Sequence, residues 1–243
     1  MKGTTPAGTS TQQEASRWVR EMFGSIAPRY DLANHVLSLN LDRRWRAKTV
    51  ERVEHILRQP GTRVLDLCCG TGDLLIALGA TSAATVMGSD FCHPMLITAN
   101  EKIARRGLAC PVFEADALCL PLCDGSLDLI TVAFGFRNLT DYQAGLAEMY
   151  RVLKPSGMAA ILEFSQPGNT MFGKLYGFYS RWVLPRIGGA LSGSSDAYAY
   201  LPASIGKFPA AEDLANDMRE AKFRSVEFVR MTGGTVALHV GTK

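Results

Sequence analysis

The chain has 243 residues, of which 47% are hydrophobic and 20% are charged, and its formal net charge is +3. This composition is that of an ordinary globular domain and excludes the disordered, collagen-like and disulfide-scaffold classes. The near balance of 26 basic and 23 acidic residues argues against a nucleic-acid partner, which usually leaves a basic excess. The length suits a single α/β domain, so we expect one sizeable core.

Six cysteines lie between residues 68 and 123. Because they form no C-x-x-C pair and have no histidine at ligand spacing, we expect reduced, buried thiols and no metal site. Reduced thiols favour a cytoplasmic protein. The polar residues 1–13 lack the apolar core of a signal peptide, and we expect a disordered tail before a domain at residues 14–243. No segment has 18 uninterrupted apolar residues, so no membrane-spanning helix is expected.

Two helices are predicted at the N-terminal end of the domain, where they would form a helical cap. Apolar residues recur at helical spacing over residues 19–26, which indicates an amphipathic helix ending before Pro28. A second helix is predicted from about Asp42, a candidate N-cap, to Gln59, where a Pro-Gly pair ends it.

Strands and helices then alternate along the chain. Almost wholly apolar strands indicate a parallel sheet covered on both faces. A Gly-Gly hairpin signal joins the last two strands, so the sheet is predicted to close with one antiparallel strand. Residues 166–209, rich in Pro, Gly and aromatic residues, are interpreted as an insertion. The predicted strands cover residues 63–67, 85–90, 111–115, 127–134, 158–164, 223–230 and 235–241; the predicted helices cover 94–106, 142–153 and 212–221, with another from Asp73.

The first predicted strand leads through a glycine-containing turn into a helix. Gly70 and Gly72 let the backbone approach a ligand closely, and the helix that follows Thr71 points free N–H groups at it. Such a turn binds a nucleotide or its carboxylate. NAD is disfavoured because Leu75 stands where the third glycine of G-x-G-x-x-G is needed.

Acidic residues stand at the ends of the first three predicted strands. Asp90 lies 18 residues beyond Gly72, a spacing that suits the two hydroxyls of a ribose. Asp116, followed by Ala117, could accept the amino group of an adenine, and Asp66 would help place a ligand amino group. Each residue alone could also cap a helix or make a turn. Their order on successive strand ends favours a site at the carboxyl edge of the sheet.

Two longer blocks and several short ones resemble the C-methyltransferases of menaquinone and ubiquinone biosynthesis. The block from Tyr30 to Trp45 is similar to that family's Y-D-x-M-N-x-x-L-S-x(3)-H-x-x-W. The block from Arg151 to Ser165 is similar to R-V-L-K-P-G-G followed by L-E-F-S. Shorter matches are F-G-x-R-N at residues 134–138, Y-x-Y-L-x-x-S-I at 198–205 and V-A-L-H at 236–239, so the resemblance runs from about residue 19 to the end.

The resemblance implies an α/β protein of the Rossmann-like class I methyltransferases, with a mostly parallel seven-stranded sheet and one antiparallel strand. It implies S-adenosylmethionine as the methyl donor and a ring carbon of a prenylated quinol as the acceptor, in menaquinone or ubiquinone synthesis. The alternative is another small hydrophobic substrate. We expect the cofactor to contact Asp66, Gly70, Thr71, Gly72, Asp90, Asp116 and Ala117.

Arg137 is the predicted catalytic residue, because the resemblance assigns a catalytic part to the arginine of F-G-x-R-N. A guanidinium is too weak a base to take the proton, so we expect its charge to lower the pKa of the quinol hydroxyl. The alternative for Arg137 is a surface salt bridge. The candidate substrate contacts are Tyr30, Asn138 and Tyr200.

The sequence departs from the family pattern where Ala33 replaces Met, Asp42 replaces His and Ala133 replaces a serine. In the insertion, aromatic residues such as Trp182 alternate with basic ones such as Arg181. This stretch could cover the prenyl chain, lie as a peripheral segment on the inner face of a membrane, or form a core helix or homodimer face.

Overall fold

The computed structural model describes residues 3–167 and 195–243, and a seven-stranded sheet runs through them. The strands are β1 (Arg63–Leu67), β2 (Thr85–Asp90), β3 (Val112–Glu114), β4 (Leu127–Ala133), β5 (Leu153–Phe164), β6 (Arg224–Met231) and β7 (Val236–Thr242). Their order in the sheet is β3-β2-β1-β4-β5-β7-β6. Strands β1 to β5 are parallel, and β7 is antiparallel to both β5 and β6, which confirms the predicted fold class.

Helices cover both faces of this sheet. They are α1 (Gln12–Ile26), α2 (Tyr30–Leu37), α3 (Leu41–Leu57), α4 (Asp73–Gly79), α5 (His93–Arg105), α6 (Tyr142–Val152), α7 (Ser195–Lys207) and α8 (Ala211–Glu220). Neighbouring side chains on a strand point to opposite faces. Accordingly, Val64 of β1 packs in the cluster with α3, α4 and α5, whereas Leu65 packs in the cluster with α6 and α8.

The N-terminal cap differs from the sequence prediction. Helix α2 was not predicted, because eight residues with polar side chains in between give no clear helical period. Asp42 is not the N-cap of α3; Asn40 is, with a left-handed φ of 59° and no side-chain cap bond. The buried Asp42 carboxylate instead accepts a hydrogen bond from Ser38 at 2.7 Å and forms an ion pair with Arg46.

Residues 3–11 fall in the segment predicted as a tail over residues 1–13, and some of them contact distant parts of the chain. Thr4 is buried, and its backbone N–H donates to the carbonyl of Leu139 at 2.7 Å. Its hydroxyl lies 2.7 Å from the hydroxyl of Tyr200. Composition gave no sign of this packing, because a polar segment can be held by hydrogen bonds to distant groups.

All six cysteines lie within the described residues and are free thiols. Cys119 and Cys123 are exposed, so the expectation of burial is wrong for these two; they lie in the loop between β3 and β4 and not in a strand. None of the helices described is both long and apolar enough to cross a bilayer. The aromatic and basic stretch of the insertion, residues 172–187, lies outside the described residues.

Candidate active site

The turn after β1 owes its shape to three residues in the left-handed region: Cys68 (φ 54°), Gly70 (φ 55°) and Gly72 (φ 83°). A Cβ on Gly70 would meet no atom within 4 Å, so this backbone faces open space. A Cβ on Gly72 would lie 3.2 Å from the Cβ of Ala99, because here the turn packs closely on α5. The two glycines therefore do different things: one leaves room for a ligand and the other lets the helix approach.

The turn opens into a cleft with about 960 Å³ of non-atom space, adjoining solvent included. Gly72 does not line the cleft, because it faces α5. The other six predicted cofactor contacts do line it: Asp66, Gly70, Thr71, Asp90, Asp116 and Ala117.

Asp66 reaches the cleft from the inside of β1 with an incompletely satisfied carboxylate. One oxygen accepts a hydrogen bond from the hydroxyl of Thr131 at 2.7 Å. The other, Oδ2, is buried and has no hydrogen-bond partner among the described residues. Burial raises the pKa of Asp66 to about 7. A cationic donor in the cleft would satisfy this oxygen and favour the ionised form.

Asp90 joins the two turns that frame the cleft. One carboxylate oxygen accepts the N–H of Gly70 and the other accepts the N–H of Cys92, both at 2.9 Å. Each oxygen keeps a lone pair for a ligand, because a carboxylate offers about four acceptor sites. Burial raises the pKa of Asp90 to about 6, above the value for a free aspartate.

A group of charged side chains binds helix α2 to the turn after β1, which we call the cofactor turn. The sequence gave no reason to connect these side chains. The hydroxyl of Thr71 donates to Asp31 at 2.5 Å. Lys102 of α5 lies 2.6 Å from the Asp31 carboxylate and 2.5 Å from that of Asp73. Burial would raise the pKa of Asp73, but Arg46 and Lys102 outweigh it and lower the pKa. The only sequence signal was the presence of Asp31 in the Tyr30 to Trp45 block.

Arg137 lies in the 3-10 turn that follows β4, and it is buried with Glu163 of β5. Its Nη1 is 2.9 Å from Oε1 of Glu163, and its backbone N–H donates to Oε2 at 3.1 Å. Nη1 also donates to the carbonyl of Phe134. Arg137 is 4% exposed and Glu163 1%, so this is a buried ion pair and not the surface salt bridge that was the alternative. Burial alone would lower the pKa of Arg137, but Glu163, Tyr30 and Tyr200 together outweigh burial and raise it.

The predicted substrate residues surround this ion pair. Tyr30 and Asn138 line the cleft, whereas Arg137 and Tyr200 are buried and do not line it. The hydroxyl of Tyr200 donates to Oδ1 of Asn138 at 3.0 Å and is hydrogen-bonded to Thr4. Burial raises the pKa values of both tyrosines, and the charge of Arg137 opposes that rise. Sequence reasoning missed Glu163 and Thr4 as parts of this assembly.

Comparison with known proteins identifies the family of the chain that forms this cleft. Residues 9–243 match the ubiE/COQ5 methyltransferase family. The chain belongs to this family. A demethylmenaquinone methyltransferase of Thermus thermophilus is 47% identical to this methyltransferase over 91% of the chain and 100% of its own length. A demethylmenaquinone methyltransferase of Deinococcus radiodurans is 46% identical over 96% of the chain and 95% of its own length.

Solved structures agree with this methyltransferase in fold. The [4+2]-cyclase SpnF superimposes with a TM-score of 0.70 at 17% identity, covering 100% of this chain and 99% of that one. A SAM-dependent methyltransferase from Aquifex aeolicus gives a TM-score of 0.58 at 20% identity, covering 80% and 88%. The fold is thus that of S-adenosylmethionine-dependent methyltransferases.

The cleft fits the cofactor that the family requires. S-adenosylmethionine carries an ammonium and a sulfonium, and the cleft wall holds the carboxylates of Asp66, Asp90 and Asp116. The partnerless Oδ2 of Asp66 offers an acceptor to an ammonium, and the open space before Gly70 admits a ligand. The protein is therefore an S-adenosylmethionine-dependent methyltransferase, and the carboxylates of its cleft suit a cationic cofactor.

Proposed function

We propose that this methyltransferase methylates a ring carbon of a prenylated quinol and that demethylmenaquinol is its preferred substrate. The observation that carries the proposal is the buried Arg137–Glu163 pair behind the wall formed by Tyr30 and Asn138. The names of the relatives at 46% and 47% identity support the naphthoquinol over the benzoquinol of the ubiquinone pathway.

The cofactor supplies an electrophilic methyl group, and each end of its molecule has a candidate partner. Asp66 would accept hydrogen bonds from its ammonium, and Asp90 from its ribose hydroxyls. Asp116 and Ala117 would bind the adenine, while Thr71 and the backbone at Gly70 fix the turn against it. The Asp116 carboxylate already accepts the N–H of Leu118 at 2.9 Å, so its position is set before a ligand enters.

Methylation at carbon requires an electron-rich ring, which a quinol gains when the hydroxyl next to the reacting carbon ionises. A fixed positive charge nearby favours the phenolate and lowers the pKa of that hydroxyl. Arg137 can provide this charge without becoming a base, because Glu163 holds its guanidinium in one place. Tyr30 and Asn138, which line the cleft, would orient the ring so that the reacting atoms come within about 3 to 3.5 Å.

The test is transfer of a labelled methyl group from S-adenosylmethionine to chemically reduced demethylmenaquinol. Parallel reactions use the demethylated quinol of the ubiquinone pathway and both oxidised quinones. We expect label only in the reduced substrates, with the naphthoquinol preferred by kcat/KM. Cofactor binding without labelling of either quinol would overturn the proposed substrate while leaving the fold and cofactor assignments in place.

A further inference from the structure

Three large apolar side chains that lie within eight residues of each other are exposed on the N-terminal cap. Leu32 and Val36 are 59% and 42% exposed and lie one turn apart on the same face of α2. Leu39, in the turn that follows the helix, is 77% exposed. We call these three residues the α2 ridge. The other strongly exposed large apolar residues in the described parts of the chain, Ile97 and Val229, lie apart on α5 and β6.

Leu39 is exposed in a backbone conformation that disfavours it. Its φ is 53° and that of Asn40 is 59°, so the turn from α2 to α3 uses two consecutive left-handed residues. Glycine or asparagine adopts this conformation at lower cost than leucine. Because the Leu39 side chain is mostly in water, its packing within the chain offsets little of that cost. Burial of this side chain against an apolar partner would offset it.

Basic residues outnumber acidic ones in the segment that contains the ridge. Residues 29–48 contain five basic and two acidic residues. Both acidic side chains are paired, Asp31 with Lys102 and Asp42 with Arg46. Three exposed arginines lie close to the ridge in the chain. Arg29 directly precedes α2, and Arg43 and Arg44 lie in the first turn of α3. An apolar ridge flanked by arginines matches a surface of anionic lipid, in which acyl chains lie beneath phosphate groups.

The opposite side of the same helix faces the active site. Tyr30 lines the cleft, and Asp31 accepts the hydroxyl of Thr71 in the cofactor turn. We propose that the α2 ridge docks the enzyme on an anionic lipid surface and thereby holds the Tyr30 end of the cleft beside the bilayer. The reason for docking rests on the proposed function, because a prenylated quinol resides in the bilayer.

The test measures co-sedimentation of the full-length protein with vesicles of phosphatidylcholine, with and without phosphatidylglycerol. The variant is Leu32→Ser/Val36→Ser/Leu39→Asn, and the matched control is Ile97→Ser/Val229→Ser, which also removes exposed apolar side chains. We expect wild type and control to bind the anionic vesicles, and the ridge variant to bind about tenfold or more weakly. Leu39→Asn alone should weaken binding without lowering Tm, because asparagine suits the turn.

Three results would overturn the docking proposal. The first is wild-type protein that does not bind anionic vesicles, and the second is a ridge variant that binds them as well as wild type. The third is a ridge variant whose only change is dissociation of a dimer in analytical ultracentrifugation, which would assign the ridge to a second copy of the chain.

Methyl transfer separates docking from the proposed function. The ridge variant should retain wild-type turnover of a short-chain quinol in solution and lose most of its turnover of a long-chain quinol embedded in anionic vesicles. Equal loss on both quinols would overturn the docking proposal, because the ridge would then serve the cleft itself. Wild-type protein that binds vesicles through the ridge but methylates neither quinol would overturn the proposed function and leave docking in place.

Discussion

At the cofactor end of the cleft, the polar groups stand on three neighbouring strands, whereas at the substrate end they come from distant parts of the chain. Asp66 lies in β1, Asp90 ends β2, and Asp116 follows β3 by two residues. Parallel strands with adjacent carboxyl ends bring these residues together through the sheet itself. The cofactor end is therefore formed by local turns on a rigid frame.

The substrate end is assembled from four separate segments. Tyr30 belongs to α2, Asn138 to the turn after β4 and Tyr200 to α7, while Thr4 comes from the segment before α1. Hydrogen bonds join Thr4, Tyr200 and Asn138, and Tyr30 packs in the same apolar cluster as Tyr200. From this comparison we expect cofactor binding to depend on the sheet, and quinol binding to depend on how the cap and the N-terminal segment pack.

The largest effect should come from Arg137, because its removal leaves the Glu163 carboxylate buried without a counter-charge. Breaking a buried ion pair costs about 3 to 5 kcal/mol, so Arg137→Ala should unfold at much lower denaturant concentration. Methyl transfer to the quinol should fall about 100-fold or more if the charge acts on the substrate. Arg137→Lys should recover only part of the activity, because a lysine cannot reproduce the fixed guanidinium.

A double variant separates stability from chemistry at this ion pair. Arg137→Met/Glu163→Leu removes both charges and should regain most of the stability that the single variant loses. Its methyl transfer should stay low, because the positive charge of Arg137 is gone. Denaturant titration and turnover of the same preparations check both statements. Full turnover by either variant would contradict an electrostatic role for Arg137.

The next largest effect should come from Asp66 at the cofactor end, whose raised pKa makes the free energy of unfolding depend on pH. Its pKa is raised to about 7, so between about pH 4 and 7 the native state binds a proton that the unfolded chain has lost. The free energy of unfolding of the cofactor-free protein should therefore fall as pH rises through this window. Asp66→Asn stays neutral and should be more stable than wild type at pH 8, by about 2 to 4 kcal/mol.

The same variant should bind the cofactor more weakly. At pH 8, Asp66→Asn should lower the affinity for S-adenosylmethionine about tenfold or more, because a charge-assisted hydrogen bond is lost. Asp128→Asn is the control: burial would raise the pKa of Asp128, but Lys154 and Arg63 together outweigh burial and lower it, and this residue lies outside the cleft. It should not gain stability at pH 8. Calorimetry and urea unfolding at pH 5 and 8 check these signs, and unchanged affinity in Asp66→Asn would exclude the ammonium contact.

A smaller effect is expected where α2 is tied to the cofactor turn. Asp31→Asn and Lys102→Met each remove one partner from the group that contains Thr71. We expect cofactor affinity to fall about three- to tenfold, since a partly buried charged contact contributes about 1 kcal/mol. Glu101→Gln on α5, which breaks only an exposed pair with Arg105, should change nothing measurable. If Asp31→Asn and Lys102→Met bind the cofactor as tightly as the control Glu101→Gln, then α2 does not support the turn.

Sequence patterning predicted the strands and the turn at this end of the cleft well, because their signals are local. The bounds of β2 and the turn from Gly70 to Gly72 follow from apolar runs and glycines that neighbour each other in the chain. The same patterning could not pair Arg137 with Glu163, which stand 26 residues apart, or Thr4 with Tyr200, 196 residues apart. Such contacts depend on the packing of whole elements, and no local period records them.

The smallest effect is expected from Thr4, which tests whether the N-terminal segment belongs to the substrate end. Thr4→Val keeps the shape but removes the hydrogen bond to Tyr200, whose hydroxyl positions Asn138. The loss of one neutral hydrogen bond costs about 1 kcal/mol, so KM for the quinol should rise about fivefold while cofactor affinity stays the same. Thr9→Val, whose hydroxyl bonds only to the nearby Pro6 carbonyl, should leave both unchanged. A change in cofactor affinity without a change in quinol KM would contradict the assignment of Thr4 to the substrate end.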